Sequence, residues 1–71
     1  MQLLPTLREY LAQDGHHGRT SERLFIGVTT LKYRLSRISE LLDVDLRDGG
    51  VRFELHLAVH LDTLLEAHGE G

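Results

Sequence analysis

One stripe of apolar residues constrains this chain more than any other feature. Leu31, Leu35, Ile38, Leu41 and Leu42 stand at i, i+4, i+7, i+10 and i+11, the period of an amphipathic α-helix with one buried face. Gly27 precedes the run and a turn-rich acidic link, Asp43 to Gly50, follows it, so the spacing predicts a helix from Val28 to Leu42. That face has to be covered within a chain of 71 residues that contains no cysteine. Disulfides and thiolate-bound zinc are therefore excluded, and a core of this size supplies only about 3–5 kcal/mol.

The covering elements are also expected to be helical. Leu3, Leu4, Leu7, Tyr10 and Leu11 form a helical stripe between Leu3 and Gln13. Pro5 is tolerable only in a first turn, while Thr6 and Glu9 have capping-box spacing and offer a slightly later start. Asp14-Gly15 ends that helix. After the polar junction His16-His17-Gly18, a short segment reaches Phe25, with Thr20, Ser21, Leu24 and Phe25 as its inner face. Gly49-Gly50 reads as the clearest break before the last segment, Val51 to about Ala67. Its first half alternates like a strand and its second half, through Leu57, Leu61, Leu64 and Leu65, is helical. It is too long for one strand and has no second strand to pair with, so it reads as helix throughout. The expected fold is all-α, a helix-turn-helix bundle of about four helices, with residues 1–71 forming a single domain.

Composition narrows the function. Hydrophobic residues make up 41% and charged residues 27%, a globular balance. No apolar run approaches the roughly 18 residues of a membrane span, and no signal peptide is evident, so a cytoplasmic location is expected. The net charge of −3 is unevenly spread. Arg19, Arg23, Lys32, Arg34 and Arg37 face only Glu22 between residues 19 and 37, whereas residues 38–71 carry eight acids against Arg47 and Arg52. A basic patch of this kind steers anionic partners even on an acidic molecule. His56 and His60 have the i, i+4 spacing of helical metal ligands, but two histidines leave a zinc site underfilled. Asp43, Asp45 and Asp48 lack the spacing of a calcium loop. No cofactor, no metal and no catalytic residue is expected, and the chain does not read as an enzyme.

Two short helices at a tight turn, the second amphipathic and basic, make a helix-turn-helix. Ser21 is the small residue of the first helix, Leu24 and Ile26 flank the turn, and Gly27 caps the second helix. A helical wheel places Thr29, Tyr33, Ser36, Arg37 and Glu40 outward with Lys32 on one flank. Arg34 falls near the buried stripe, suited to an acid partner or to a phosphate reached from the side. Thr30 is expected to bond backbone and pack. The candidate DNA-binding residues are Arg19, Arg23, Val28, Thr29, Lys32, Tyr33, Ser36 and Arg37. Arg and Lys can donate to guanine or phosphate, Tyr and Thr hydroxyls can bond phosphate, and the free amides at Val28 and Thr29 can hold one.

The run Thr30-Leu31-Lys32-Tyr33-Arg34-Leu35-Ser36-Arg37-Ile38-Ser39-Glu40-Leu41-Leu42 resembles the recognition-helix signature of PucR-type regulators, approximately H-R-N-T-L-R-Y-R-L-x-R-I-E-E-L. These are bacterial regulators of purine catabolism and sugar-diacid use, with a C-terminal helix-turn-helix domain distantly similar to Fis-type factors. Leu4 to Leu11, Asp45-Leu46 and Leu55-His56-Leu57-Ala58 match further. The resemblance implies a double-stranded DNA partner, α-helix Val28–Leu42 in the major groove, and a longer regulator of which this is the C-terminal part. The chain departs from the pattern at Gly27-Val28-Thr29, where the family shows His-Arg-Asn, and Arg19 and Arg23 are placed to compensate. The alternative reading is a helical dimerisation module with little DNA binding of its own. The last segment favours it, because Val51, Phe53, Leu55, Leu57, Val59, Leu61, Leu64 and Leu65 exceed what one core-facing helix requires. A homodimer through that helix is compatible with either reading.

Overall fold

Several of the helix boundaries follow from local capping arrangements. In the computed structural model, which describes residues 2–68 with the side chains of 2–62 and 65, the elements are α1 (Leu3–Ala12), α2 (His17–Leu24), α3 (Val28–Leu42) and α4 (Gly49–His68). The fold is all-α, with no strand among the described residues. The Leu64 side chain and residues 69–71 lie outside the described residues.

Gln2 caps α1, which puts Pro5 in the first turn, where its missing N–H leaves nothing unmade. The Thr6–Glu9 capping box does not form. Thr6 is fully buried and its hydroxyl donates to the Gln2 carbonyl at 2.6 Å. α2 is capped by His16, whose Nδ1 accepts the Arg19 N–H at 3.1 Å. α4 starts two residues before the expected Val51. Asp48 Oδ1 accepts the N–H groups of Gly50 at 2.7 Å and Val51 at 3.2 Å, so the Gly49-Gly50 pair forms the first turn and not a break. A strong N-cap outweighs the poor helix propensity of two glycines at positions that need no side chain.

Three helices stop by the same device. Asp14, Phe25 and Asp43 have left-handed backbone, with φ of 53, 57 and 54°. The next residue in each case donates back across the turn: Gly15 to the Tyr10 carbonyl at 2.9 Å, Ile26 to Ser21 at 3.1 Å and Val44 to Ser39 at 3.1 Å. This Schellman arrangement satisfies carbonyls that would otherwise be orphaned. At Phe25 it corrects the expected inward placement. The helix stops at Leu24, the backbone reverses its hand, and the ring is left 94% exposed.

The core consists of Leu7, Tyr10, Leu11, Leu31, Leu35, Ile38 and Leu46, with Leu24, Ile26, Leu55 and Val59 packed around it. α1 is the central helix, lying against α2, α3 and α4, and α2 also packs on α3. α4 meets no helix other than α1 over the described residues. Ser21 is buried at the α2 crossing and donates to the Gly18 carbonyl at 2.9 Å. Leu41 and Leu42 depart from expectation. They are 65% and 46% exposed, because the apolar stripe of α3 runs on past Ile38, beyond the reach of the covering helices. Thr30 is likewise exposed and not packed.

The link between α3 and α4 is fixed at Leu46. Its carbonyl accepts the Tyr10 hydroxyl at 3.2 Å and Arg52 Nη1 at 3.0 Å. Arg52 also donates to the Arg47 carbonyl at 2.8 Å. The Arg52 side chain lies across Gly15, where a Cβ would stand 2.7 Å from Nε and where φ is +78°. Farther along, Arg8 and Asp62 pair across α1 and α4 at 3.7 Å. Removing the hydroxyl with Tyr10→Phe is expected to destabilise the fold by about 1 kcal/mol. Urea unfolding measures it, and an unchanged midpoint would mean that Arg52 alone satisfies the Leu46 carbonyl.

Candidate nucleic-acid interface

Burial of Leu31, Leu35 and Ile38 fixes the rotation of α3 and therefore what it shows to solvent. All eight expected contact residues, Arg19, Arg23, Val28, Thr29, Lys32, Tyr33, Ser36 and Arg37, are exposed. Tyr33 retains 55% of its surface and Val28 41%. At about 100° per residue, Tyr33 and Glu40 lie at the centre of the outward face, with Lys32 at one edge and Arg37 toward the other. Arg19 and Arg23 stand one turn apart on α2.

The cations differ in how they are held. Arg23 Nε donates to Glu9 Oε1 at 3.0 Å, which ties α2 to α1, and Arg37 Nη1 donates to Glu40 Oε2 at 3.1 Å within α3. The Arg37–Glu40 pair is solvated on both sides and contributes little to stability, whereas in the other pair only Arg23 is largely exposed and Glu9 is mostly covered. The charged groups of Arg19 and Lys32 make no ion pair among the described residues. Arg34 has no acid partner among the described residues and no outward course. It is half-buried and Nη1 donates to the Thr6 hydroxyl at 3.3 Å, which bridges α3 to α1.

Lys32 and Ser36 also border an open groove of about 800 Å³ that continues past Ser39 to Asp43 and Asp45. Hydrogen bonds from the Arg47 side chain, and then from its backbone N–H, hold the Asp45 carboxyl below its ordinary range. The far wall of the groove is therefore anionic except where Arg47 neutralises it. The exposed cations thus lie along the α2 and α3 side, and the acidic groups lie beyond Lys32.

At the start of α3, Leu31 makes the first helical bond, to the Gly27 carbonyl at 3.0 Å. Gly27 offers no side-chain acceptor, so the amides of Val28, Thr29 and Thr30 face outward at the positive end of the helix. Sequence reasoning found this helix but missed two neighbours of the site. The His16 cap was hidden because histidine is not a favoured N-cap. The left-handed turn at Phe25 was hidden because nothing in the run Arg23–Val28 marks Phe25 as the cap residue.

Residues 3–61 match the PucR C-terminal helix-turn-helix domain family. The chain is 34% identical over 59 residues to the DNA-binding transcriptional activator AdeR of Bacillus subtilis, covering 83% of this chain and 14% of that protein. It is 38% identical over 60 residues to the proline-responsive transcriptional activator PutR of the same organism, covering 84% and 15%. The carbohydrate diacid regulator of Escherichia coli is 51% identical over 43 residues, 61% of this chain and 11% of the regulator. The chain thus spans about one seventh of the length of the first two relatives. No solved structure matches it significantly.

The geometry at Gly27 is that of an N-cap, with φ −74° and ψ 156°, and a Cβ there would meet nothing within 4 Å. Gly27→Ser is expected to stabilise the fold by about 0.3–0.5 kcal/mol, because a hydroxyl would accept one of the outward amides. Val28→Arg is expected to change stability by less than about 0.5 kcal/mol, since that position is solvated. Thermal melts of both variants check this. A Val28→Arg loss several times larger would mean that Val28 is packed.

Proposed function

The chain belongs to the PucR C-terminal helix-turn-helix domain family, and on that premise we propose that it binds double-stranded DNA in a sequence-specific manner, with α3 in the major groove. One observation carries this reading. α3 buries Leu31, Leu35 and Ile38 inside the bundle and leaves Thr29, Lys32, Tyr33, Ser36 and Arg37 on a single accessible face. In that docking Lys32 and Arg37 donate to guanine O6 and N7 or to phosphate, and the Tyr33 and Thr29 hydroxyls bond phosphate oxygens. The amides of Val28 and Thr29 take a further phosphate at the helix end, while Arg19 and Arg23 reach the backbone from α2. Arg37 moves from Glu40 to the DNA at little expense, because a solvated pair is weak.

The domain acts as the DNA-binding part of a longer bacterial transcriptional regulator in the cytoplasm, and as a binding module, not an enzyme. No helix over the described residues is long and apolar enough to cross a membrane. Val28 stands where the family pattern has Arg, and the last third of the chain is acidic. The isolated domain is therefore expected to bind mixed-sequence duplex weakly, at about 10⁻⁴–10⁻⁶ M at physiological salt. Lys32→Ala with Arg37→Ala should flatten the plot of log affinity against log salt. Equal slopes for the double variant and the wild type would defeat the reading.

A second feature supports pairing of two copies. On α4, Leu55 and Val59 turn toward the core, while Phe53, Leu57, Leu61 and Leu65 on the far side are 53–66% exposed. A helix that is apolar on both sides needs a second partner. A homodimer through α4 would cover this stripe and present two α3 helices to a two-fold site. Sedimentation equilibrium is expected to give a dimer for the wild type and a monomer for Leu57→Asp, with the melting temperature of the monomer unit preserved. Dimerisation without any affinity for duplex DNA would instead favour the dimerisation-module reading.

A further inference from the structure

Phe25 combines two costs on one residue. Its ring is 94% exposed, and its backbone is left-handed at φ 57°, a conformation that is a genuine outlier for a bulky side chain. The same cap geometry occurs twice more among the described residues, and there the left-handed residue is Asp14 or Asp43. Asp tolerates that backbone and is at ease in water; Phe fits neither condition. A left-handed backbone at a bulky residue is a strained state of the kind that gathers at functional sites, and a ring this exposed does not offset it by packing in the core.

The surroundings indicate what meets the ring. Arg23 precedes it by two residues in the last turn of α2, and the outward amides at the start of α3 follow it, beside the 41% exposed Val28. Along the chain the ring thus stands between Arg23, whose guanidinium is paired with Glu9, and the positive end of α3. The matching partner surface alternates anionic and apolar groups at close spacing, as phosphates and deoxyribose rings do along a DNA strand. We propose that Phe25 is a DNA-contacting residue of the helix-turn-helix turn, its ring packing on the deoxyribose faces that border the groove entered by α3. This rests on the DNA-binding reading and adds a contact that neutralises no phosphate and reads no base.

The test uses Phe25→Asn and Phe25→Gly, which accept left-handed backbone more readily than Phe does, and a labelled mixed-sequence duplex titrated over a range of salt. Both variants are expected to melt no lower than the wild type, and a few degrees higher in the case of Phe25→Gly. Both should bind the duplex about 5- to 10-fold more weakly, with an unchanged salt slope, because no counterion release is lost. A lowered melting temperature would show that the ring supports the fold itself and would overturn the proposal. Affinity within twofold of wild type, or a weakened affinity with a flattened slope, would also overturn it, the former leaving a protein surface as the ring's occupant. A wild-type chain that fails to bind duplex at any salt would sink the DNA-binding reading as well. Failure confined to the variants leaves that reading standing.

Discussion

Tyr10 is the residue on which the arrangement of the other segments depends. Its ring is 2% exposed, sits edge-on to His17 at the start of α2 with centroids 5.6 Å apart, and packs in the core with Leu31 and Leu35 of α3. Its hydroxyl then fixes the Leu46 carbonyl, to which Arg52 of α4 is also bound. One side chain on α1 thus sets the entry of α2, the base of α3 and the link that launches α4. A buried phenol is suited to this because it fills volume with a rigid ring and still ends in a group that must be hydrogen-bonded. The α2–α3 unit that faces solvent is in this way held from behind, and its outward side is free of structural duties apart from the Arg23–Glu9 and Arg37–Glu40 pairs.

The turns show how local chemistry and global arrangement were reconciled. Asp14 and Asp43 adopt left-handed backbone with little strain, and each lets the chain change direction within a few residues. Asp48 does the reverse work by starting α4 through its carboxylate. Short acidic side chains therefore serve as stop and start signals around the bundle, which accounts for part of the negative charge without invoking a partner for it.

Much of this was legible in the sequence. The 3.6-residue period together with the flanking breakers identified α3, and the same period fixed which of its residues face out, so the six candidate contacts on α3 are on the surface. The errors occur where a local rule was applied beyond its reach. Leu41 and Leu42 continue the stripe, but periodicity does not say where the covering helices end. Phe25 continues the inner face of α2 only if the helix continues, and it does not. Gly49-Gly50 looked like a break because propensity was weighed without the Asp48 cap that precedes it. Thr6 and Glu9 have the spacing of a capping box, yet burial beneath Arg34 claims the threonine. The Arg23–Glu9 pair joins residues 14 apart, a relation available only once α1 and α2 are docked, whereas Arg37 and Glu40 were already readable as i, i+3 neighbours on one helix.

The central place of α1 also orders the ways in which the bundle can come apart. Over the described residues α4 leans on α1 and on the Leu46 link but on no other helix, so it can lift away and leave the α1–α2–α3 packing closed. α1 has no such freedom, since its release uncovers the apolar faces of all three partners at once. Local opening free energies are therefore graded between the helices, lower for α4 and equal to global unfolding at α1. During synthesis the same order runs the other way: α1 is made first but has to wait for α3 before its buried face is closed. The unit that carries the exposed face of α3 is complete before α4 has been made.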